Sequence, residues 1–431
     1  MKILLVKPYW PYPYTKGEHT YNRIWPPLSL ANCASILEKQ GCSVKILDAH
    51  AARIKPDKIS SHVIGYDKVF ITSSTLDKWI CPNINIEPFI ATVSAVKLVT
   101  DEFYIIGYHG TEDPESILRM TGAKAVLRGE PENIVSEVCS NKMLEEIDGL
   151  TFYKNGRVIS TPSAKKLDMS TLPTPAYHLL DMSKYYYEIL GDHFALFELS
   201  RGCKHNCLFC SKIMFGEGLR QKTISQIKED ISSAVNRYNI KTGYFIDLDF
   251  LSNVGLVEAV CDFLIEENYD FNWCCQTRPE AINIRMLEKM KAAGCSLIHF
   301  GVESSENAFL DLANKRTSLK GIEEAIYMCK KLNIDTLAFY LFGFKNETDF
   351  ERERTFNFAK KLNTDYISFH KIYPYKKSDI YLENVSSNKK IDLFIKKSYI
   401  RYFLRIRKFR RVKLVYALQC IKLFFYRIMS L

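Results

Sequence analysis

The chain reads Ser200-Arg201-Gly202-Cys203-Lys204-His205-Asn206-Cys207-Leu208-Phe209-Cys210 directly after a short apolar run, Ala195 to Leu199. Five more apolar runs follow, and stretches with helical periodicity, such as Thr223 to Tyr238 and Leu319 to Leu332, lie between them. This alternation predicts a partial barrel of six strand–helix units, with the functional groups at the carboxyl ends of the strands. The five later predicted strands are Tyr244 to Leu248, Asn272 to Thr277, Leu297 to Val302, Thr336 to Phe342 and Tyr366 to His370.

Three cysteines in the quoted loop, Cys203, Cys207 and Cys210, have the spacing CxxxCxxC. Three thiolates in one tight loop ligate three irons of a cubane cluster and leave the fourth iron open to a substrate's amino and carboxylate groups. The alternative is a structural zinc site, which prefers four N or S ligands in paired spacings. Because the sequence has no second CxxC pair, we predict a four-iron, four-sulfur cluster. Cys274 and Cys275 are either extra ligands or buried core thiols, which is the commoner state of such cysteines.

Three later segments carry polar side chains at the ends of predicted strands: Phe245-Ile246-Asp247-Leu248-Asp249, Cys275-Gln276-Thr277-Arg278 and Gly301-Val302-Glu303-Ser304. With the cysteine loop, and in this order, they resemble the radical S-adenosylmethionine superfamily and, more narrowly, its cobalamin-binding class, over about residues 1–375. In that family the cluster reduces S-adenosylmethionine to methionine and a 5′-deoxyadenosyl radical. The resemblance implies that the residues binding S-adenosylmethionine are Phe209, Asp247, Gln276, Arg278, Glu303 and Ser304.

The resemblance also implies individual roles. Phe209 would pack near the adenine, and Asp247 would lie near the methionine amino group, although Asp249 has a similar claim. Glu303 would accept hydrogen bonds from ribose hydroxyls; its alternative role is a solvated charge at a strand end. Residues 341–348 resemble the family's Gly-x-Pro-Gly-Glu-Thr turn, with Lys345-Asn346 in place of Pro-Gly. This departure makes the expected substrate-facing surface unusual.

The first part of the chain contains five short apolar runs, each separated by enough residues for a helix. That pattern predicts a doubly wound parallel sheet, an α/β architecture that binds ligands at the carboxyl ends of its strands. The resemblance specifies it as the flavodoxin-like, cobalamin-binding module of these enzymes. The predicted strands are Lys2 to Val6, Val44 to Leu47, Val69 to Thr72, Tyr104 to Gly107 and Ala125 to Leu127.

Polar and glycine-bearing loops follow three of these strands, and in the resemblance they contact the corrin. A corrin needs small residues where the backbone approaches the ring, and hydroxyl or N–H groups around its amides. The family's Gly-Gly and Gly-Glu-Gly-Glu are here Gly-Tyr and Gly-Glu-Pro-Glu, so an empty pocket is the alternative. The predicted cobalamin-binding residues are Thr72, Ser73, Ser74, Gly107, His109, Gly129 and Glu130.

Two histidines compete for the lower face of the corrin. His50 lies in Asp48-Ala49-His50-Ala51-Ala52-Arg53, which imitates a cobalt-binding D-x-H-x-x-G loop. That segment follows the second predicted strand rather than the first, and Arg53 stands where glycine is required. We therefore expect His50 to be an ordinary loop histidine. His109 has the better position, with a hydrogen-bonding or structural role as its alternative.

The net charge of +10 comes from one end of the chain, because residues 396–431 contain eleven Lys or Arg and no Asp or Glu. The rest of the chain therefore has a net charge of −1, eleven below +10, which argues against a nucleic-acid surface. In the tail, basic residues alternate with apolar ones, and the longest uncharged run, Leu414 to Ile421, is too short to cross a bilayer. The tail is either an interfacial helix on a membrane or a helix packed on the barrel.

Four segments result: a cobalamin-binding-like domain at 1–140, a linker at 141–193, the partial barrel at 194–375 and a basic helical extension at 376–431. The linker contains a hairpin-like stretch, Gly149 to Val158. The thirteen cysteines and the lack of a signal-peptide pattern predict a cytoplasmic protein, membrane-associated if the tail binds lipid.

By resemblance, the function is cobalamin-dependent methylation of an unactivated carbon or a phosphinate phosphorus, in a small-molecule or lipid-like substrate. One S-adenosylmethionine would supply the radical and a second the methyl group, with an electron donor such as flavodoxin or ferredoxin. One alternative is a cobalamin-containing radical cyclase or rearrangement enzyme that transfers no methyl group. Another is a non-catalytic corrinoid or S-adenosylmethionine sensor, against which the intact cysteine loop argues.

Overall fold

The computed structural model describes residues 1–11, 23–74, 85–216, 218–373 and 389–403. The chain forms two compact units that interleave along the sequence. The first unit comprises Met1–Tyr187, Gly191–Phe197 and Ser211–Ile240, and the second comprises Glu188–Leu190, Glu198–Cys210 and Lys241–Leu431. The four segment limits expected from the sequence stay a prediction.

A seven-stranded sheet forms the first unit's centre, in the order β2-β1-β3-β4-β5-β6-β7. Strands β1 to β5 are parallel, and their order is the flavodoxin-like 2-1-3-4-5. The prediction of a doubly wound sheet is confirmed, and each predicted strand coincides with an observed one. The strands are β1 (Lys2–Lys7), β2 (Ser43–Asp48), β3 (Lys68–Thr72), β4 (Phe103–Ile106), β5 (Ala125–Leu127), β6 (Leu150–Lys154) and β7 (Arg157–Ser160).

Apolar side chains point from both faces of this sheet into packed layers, because helices cover both faces. Residues 3–6 of β1 are fully buried, and of these Leu4 and Val6 share one core with Val69, Ile71, Phe103 and side chains of the helices. The helices are α1 (Leu28–Lys39), α2 (Pro56–Val63), α3 (Glu87–Lys97), α4 (Tyr108–Glu112), α5 (Pro114–Thr121) and α6 (Pro131–Val138).

The hairpin expected inside the linker is present, and it extends the first sheet. Strands β6 and β7 pair antiparallel, and β6 pairs antiparallel with β5. Asn155 and Gly156 both have positive φ, as the two-residue type I′ turn requires. The part of the chain expected to be a linker thus contributes two strands to the sheet.

Five short strands and one helix lie between β7 and β13 in the chain. Helix α7 begins at a capping box formed by Thr223 and Gln226 and ends at Asn239 in the left-handed conformation. The strand predicted at Ala195 to Leu199 is β10. These elements are β8 (Tyr186–Tyr187), β9 (Gly191–Asp192), β10 (Phe194–Phe197), β11 (Ser200–Cys203), β12 (Gly218–Gln221) and α7 (Ile224–Tyr238).

A second sheet has six strands in the order β10-β13-β14-β15-β16-β17, and β13 to β17 pair in parallel in chain order. Helices follow the strands, so the predicted strand–helix repeat of a partial barrel is confirmed. The strands are β13 (Thr242–Phe245), β14 (Asn272–Thr277), β15 (Cys295–Glu303), β16 (Asp335–Phe342) and β17 (Tyr366–Lys371). The helices are α8 (Val254–Glu267), α9 (Ile284–Ala292), α10 (Asn307–Leu312), α11 (Leu319–Lys331), α12 (Asp349–Leu362) and α13 (Lys389–Phe403).

Helix α13 includes the start of the basic tail and packs within the second unit. The Phe369 backbone N–H donates to the Tyr399 hydroxyl (2.8 Å), and the Tyr402 hydroxyl donates to the Thr364 carbonyl oxygen (2.8 Å). Arg401 forms an ion pair with Glu353. Residues 404–431, with most of the predicted basic tail, lie outside the described residues. Within the described part of the chain, no helix combines the length and apolarity that a bilayer crossing needs.

Candidate active site

The cysteine loop leaves strand β11 and is held by one backbone group and one side chain of the chain just after α10. Leu208 N donates to the Ala313 carbonyl oxygen (3.0 Å), and the Asn314 side-chain amide donates to the Asn206 carbonyl oxygen (2.9 Å). Within the loop, Cys210 N donates to the Cys207 carbonyl oxygen (3.1 Å). The loop is therefore fixed at its middle by partners outside itself.

The three predicted cluster ligands, Cys203, Cys207 and Cys210, are half-buried free thiols. Among the described residues, no group of three or more His, Cys, Asp or Glu side chains is arranged so that it could hold a metal ion. A cubane cluster takes one thiolate at each of three irons, and three thiols in one loop fit that need. Cys274 and Cys275 are fully buried core thiols instead.

Arg278 follows strand β14 and contacts the cysteine loop. Its Nη1 lies 3.5 Å from Cys207 Sγ, and its Nη2 donates to the Arg316 carbonyl oxygen (3.2 Å). The guanidinium Nε also bonds the Glu280 carboxylate. Gln276, two residues earlier, donates to the Leu248 carbonyl oxygen (3.3 Å). Both predicted S-adenosylmethionine ligands therefore lie at the carboxyl end of β14, each with protein partners.

Phe209, expected near the adenine, packs within the second unit. It lies partly buried against an apolar cluster that includes Phe309, Ala313, Phe344 and Ile372. Phe309 and Phe344 stack with parallel rings at a centroid distance of 4.9 Å. The ring of Phe209 is thus supported on one side by apolar side chains.

Asp247 lies just after strand β13, and its carboxylate organises the backbone ahead of the cysteine loop. It accepts hydrogen bonds from Leu199 N (3.1 Å) and from the Ser200 hydroxyl (2.5 Å). Burial raises the pKa of Asp247 to about 6, against the opposing effect of these bonds. The carboxylate oxygens of Asp247 therefore bind Leu199 and Ser200, the segment that leads into the cysteines.

Asp249 links three further segments around the cysteines. It accepts from the Thr277 hydroxyl (2.8 Å) and the Ser252 hydroxyl (2.9 Å), and its Oδ2 lies 3.2 Å from His205 Nε2. His205 lies between Cys203 and Cys207. Its pKa is lowered mainly by burial and secondly by the positive charge of Arg278. Asp249 therefore contacts a side chain between the first two cysteines, whereas Asp247 bonds the start of the loop at Ser200.

Glu303 ends strand β15 and forms a buried ion pair. Lys315 Nζ lies 2.6 Å from Glu303 Oε1 and donates to the Gly301 carbonyl oxygen (2.7 Å). Glu303 has a φ of +66°, in the left-handed region, and the register between β15 and β16 shifts between Gly301 and Glu303. A strained backbone at a strand's carboxyl end is a feature of functional positions. The neighbouring Ser304 is fully buried, with its hydroxyl 3.2 Å from that of Thr355.

The loop after β16, residues 343–348, contains a second buried carboxylate. Gly343 N donates to Glu347 Oε2 (2.6 Å), and Arg352 lies 3.4 Å from the same oxygen. The other oxygen, Oε1, is buried and has no hydrogen-bond partner among the described residues. Burial raises the pKa of Glu347 to about 7. The loop that resembles the family's Gly-x-Pro-Gly-Glu-Thr turn is thus closed by its glutamate.

In the first unit, the loop after β3 lies at the topological switch point, where sheets of this order bind ligands. Ser73 Oγ accepts from His109 N (3.2 Å), and Ser74 Oγ accepts from Tyr108 N (3.3 Å). Thr72 Oγ1 accepts from Ser74 N (3.3 Å). The structure therefore brings together the hydroxyls after β3 and the loop after β4.

Two glycines shape this edge of the sheet in different ways. Gly107 has a φ of +100°, and a Cβ there would lie 3.1 Å from the Thr72 and Ser73 hydroxyl oxygens, so glycine permits close packing of the two loops. Gly129 has a φ of +91°, and within the part of the chain that the structure describes no heavy atom lies within 4 Å of an added Cβ. Its backbone N–H donates to Thr111 Oγ1 (2.9 Å). Open space beside Gly129, next to hydroxyl-bearing loops, fits a corrin.

Tyr108 replaces the second glycine of the family's Gly-Gly. Its side chain is fully buried. The hydroxyl lies 2.7 Å from the Ser211 hydroxyl and donates to Glu112 Oε1 (3.3 Å). Ser211 directly follows the third cysteine in the sequence. The tyrosine ring therefore fills protein interior and positions the chain after Cys210.

The remaining predicted corrin contacts differ in environment. Glu130 accepts from Leu167 N (3.1 Å) and forms an ion pair with Arg220 (2.7 Å), so its carboxylate anchors the protein's own chain. His109 lies on α4, partly buried, with its ring edge-on to Tyr108. His50 is buried in the turn after β2 and accepts from Trp10 N (3.3 Å), as a structural loop histidine does.

Residues 197–359 match the family model of the Radical SAM superfamily. The chain carries a radical SAM domain. It is 29% identical over 406 residues to an uncharacterized methyltransferase of Pyrococcus horikoshii, covering 90% of this chain and 84% of that relative. It is 25% identical over 403 residues to the anaerobic magnesium-protoporphyrin IX monomethyl ester cyclase of Rubrivivax gelatinosus, covering 89% and 70%.

A solved structure has a similar fold over both units. The structure of the radical S-adenosylmethionine methyltransferase TsrM of Kitasatospora setae, with cobalamin and a [4Fe-4S] cluster bound, superposes with a TM-score of 0.69 and 16% identity. The match covers 88% of this chain and 74% of that chain. The likeness therefore extends the radical SAM domain's match to the N-terminal doubly wound sheet.

Three residues that contact the predicted site residues were not predicted from the sequence. The polar segment Asn314-Lys315-Arg316 is typical of an exposed loop. Nothing in the sequence indicates that Lys315 pairs with Glu303. His205 and Ser200 stand beside the cysteines, so proximity to the motif was an available signal. Their partners, Asp249 and Asp247, are separated from them by more than forty residues, which only the fold brings together.

Proposed function

We propose that this chain is a cobalamin-dependent radical SAM methyltransferase acting on an unactivated carbon or a phosphinate phosphorus of a small-molecule or lipid-like substrate. The observation that carries the proposal is the half-buried three-cysteine loop, held from outside by Ala313 and Asn314. The flavodoxin-like sheet has hydroxyl-bearing loops at its switch point, and this arrangement supports the proposal that the protein binds a corrin. The naming of a relative from Pyrococcus horikoshii as a methyltransferase agrees with it.

The protein's own residues have defined tasks in this proposal. Cys203, Cys207 and Cys210 hold the cluster, which together with cobalamin supplies electron transfer to S-adenosylmethionine and a carrier for the methyl group. Asp247 and Asp249 keep the cysteine loop in place. Glu303 offers the carboxylate that would accept hydrogen bonds from ribose. The protein thus orients its cofactors and excludes water from them.

A radical cyclase that transfers no methyl group is the second candidate. It is favoured by the likeness to a cyclase of Rubrivivax gelatinosus, which covers 89% of this chain. The two functions differ in their products, because only a methyltransferase releases S-adenosylhomocysteine beside 5′-deoxyadenosine. Incubation with candidate substrates, S-adenosylmethionine and a reductant, followed by product analysis, distinguishes them.

The decisive test is anaerobic reconstitution followed by iron, sulfide and corrinoid analysis. We expect about four iron and four sulfide per chain, and one corrinoid. The variant with Cys203, Cys207 and Cys210 all changed to Ala should retain no iron and form no 5′-deoxyadenosine. Cys139→Ala, which changes a half-buried cysteine outside the loop, is the matched control and should keep the cluster. An iron-loaded triple variant contradicts the proposal.

Two partners complete the proposal. A flavodoxin- or ferredoxin-like protein would donate the electron that starts the reaction. Contact with anionic lipid would come from residues 404–431, because the start of the basic tail is already occupied: Arg401 pairs with Glu353, and Tyr399 and Tyr402 pack on the barrel. A lipid-like substrate would fit such a contact.

A further inference from the structure

Arg278 is a cationic side chain that donates to a cysteine sulfur in the loop. Its Nη1 lies 3.5 Å from Cys207 Sγ, within the range for a hydrogen bond to sulfur. The side chain is only 10% exposed, so water screens its charge weakly. By comparison, the hydrogen bond to Cys203 Sγ from His205 N, also at 3.5 Å, comes from a neutral backbone amide.

The guanidinium of Arg278 is fixed from two other directions. Nη2 donates to the Arg316 carbonyl oxygen (3.2 Å), and Nε donates to the Glu280 carboxylate. The planar guanidinium has its N–H groups in a rigid arrangement, so these two bonds determine where Nη1 points. The hydrogen bond to Cys207 is therefore set by the fold itself. The positive charge of Arg278 is held beside this thiolate before any substrate binds.

We propose that Arg278 acts through Cys207 to raise the reduction potential of the cluster; this inference rests on the proposed function. On reduction, the cluster accepts one electron from the donor protein, and the combined charge of the cluster and its thiolates becomes more negative by one. A nearby buried cation stabilises the reduced form more than the oxidised form. Hydrogen bonds to the ligand sulfurs and local charge are known determinants of such potentials.

The inference differs from the role expected by resemblance, in which Arg278 binds S-adenosylmethionine. A ligand of S-adenosylmethionine would change the affinity for that molecule and leave the potential of the cluster alone. A residue acting through Cys207 would change the potential even when no S-adenosylmethionine is present. The two roles are therefore separable by measuring both quantities on the same variants.

The experiment is an anaerobic redox titration of the reconstituted protein without S-adenosylmethionine, followed by electron paramagnetic resonance. For Arg278→Gln we expect the equilibrium constant of reduction to fall by about tenfold, which is about 59 mV toward more negative potential for one electron. Glu280→Gln should shift the potential in the opposite direction, because it removes the negative partner of the same guanidinium. Lys204→Gln removes an exposed charge of the cysteine loop, whose Nζ donates to the Ser252 carbonyl oxygen (3.2 Å), and should leave the potential unchanged.

Iron and sulfide are measured in every sample before titration. Equal midpoints in wild type, Arg278→Gln and Glu280→Gln, all with a full cluster, overturn the role of Arg278 while leaving the proposed function intact. If Arg278→Gln loses iron, its reduction potential cannot be compared, and Glu280→Gln becomes the test. A higher potential in Glu280→Gln supports the inference, and an unchanged potential overturns it. Weaker S-adenosylmethionine binding with an unchanged midpoint assigns Arg278 to that cofactor instead. A wild-type protein that never assembles a cluster contradicts the proposed function itself.

Discussion

Lys315 Nζ lies 2.6 Å from Glu303 Oε1, and both side chains are more than nine-tenths buried. Removing one partner of a buried ion pair leaves a charge without its counter-ion, which costs about 3–5 kcal/mol, whereas replacing both can be nearly neutral. The pair therefore allows the structural and the ligand-binding roles of Glu303 to be separated.

We expect Glu303→Gln alone to lower the thermal midpoint and to weaken S-adenosylmethionine binding by roughly tenfold or more, because a charged acceptor contributes about 1.5–3 kcal/mol. The double variant Glu303→Gln with Lys315→Met should regain most of the thermal stability and keep the weakened binding. Calorimetry and equilibrium binding measure the two quantities. If the double variant also recovers full affinity, Glu303 has only a structural role.

Gly129 and Gly65 form a matched pair for testing the corrin site. Their φ values are +91° and +90°, and at either position an added Cβ would meet no heavy atom of a described residue within 4 Å. Alanine should therefore destabilise both by a similar amount, about 1–2 kcal/mol. Only Gly129→Ala should weaken cobalamin binding, because only Gly129 lies at the carboxyl edge of the sheet. Equal corrinoid content in the two variants after reconstitution would move the site away from Gly129.

Glu347 should make stability depend on pH. Its folded pKa of about 7 lies above its ordinary value of 4.5, so the folded protein holds this proton more tightly than the unfolded chain does. The resulting loss of stability begins above about pH 4.5, grows as the pH rises and is complete above about pH 7. Glu347→Gln should remove this contribution. The thermal midpoint of Glu347→Gln relative to wild type should therefore rise between about pH 5 and pH 8; a constant difference would disprove the buried, protonated carboxyl.

The tail prediction is best tested by ending the chain after Phe403. Helix α13 stays in that variant, with the bonds of Tyr399 and Tyr402, so its thermal midpoint should match that of the full chain. The full chain, but not the shortened one, should co-sediment with anionic vesicles and be released by high salt, since each basic group near such lipid contributes about 1 kcal/mol. Zwitterionic vesicles are the control. Equal sedimentation of both variants would exclude residues 404–431 as the lipid contact.

The sequence predicted the architecture because local patterns determine it. The apolar runs at Lys2 to Val6 and Asn272 to Thr277 are bounded by turn residues and separated by helical stretches, and each became a strand. The spacing of the cysteines likewise predicts their shared loop. The pairings Glu303–Lys315 and Asp249–His205 could not be predicted, because their partners meet only after the strands align. Asp247 and Asp249 are alike in sequence, and only the fold assigns them different partners.

The left-handed backbone at Glu303 limits which amino acids that position can tolerate. Glycine and asparagine adopt a φ near +66° with little strain, whereas a β-branched residue does not. Glu303→Gly would relax the backbone but would also discard the carboxylate and leave Lys315 without its counter-ion. A library made neutral at position 315 and selected only for heat resistance should therefore enrich glycine at position 303. Selection for S-adenosylmethionine binding should retain the glutamate, so thermal robustness and chemistry compete at this single residue.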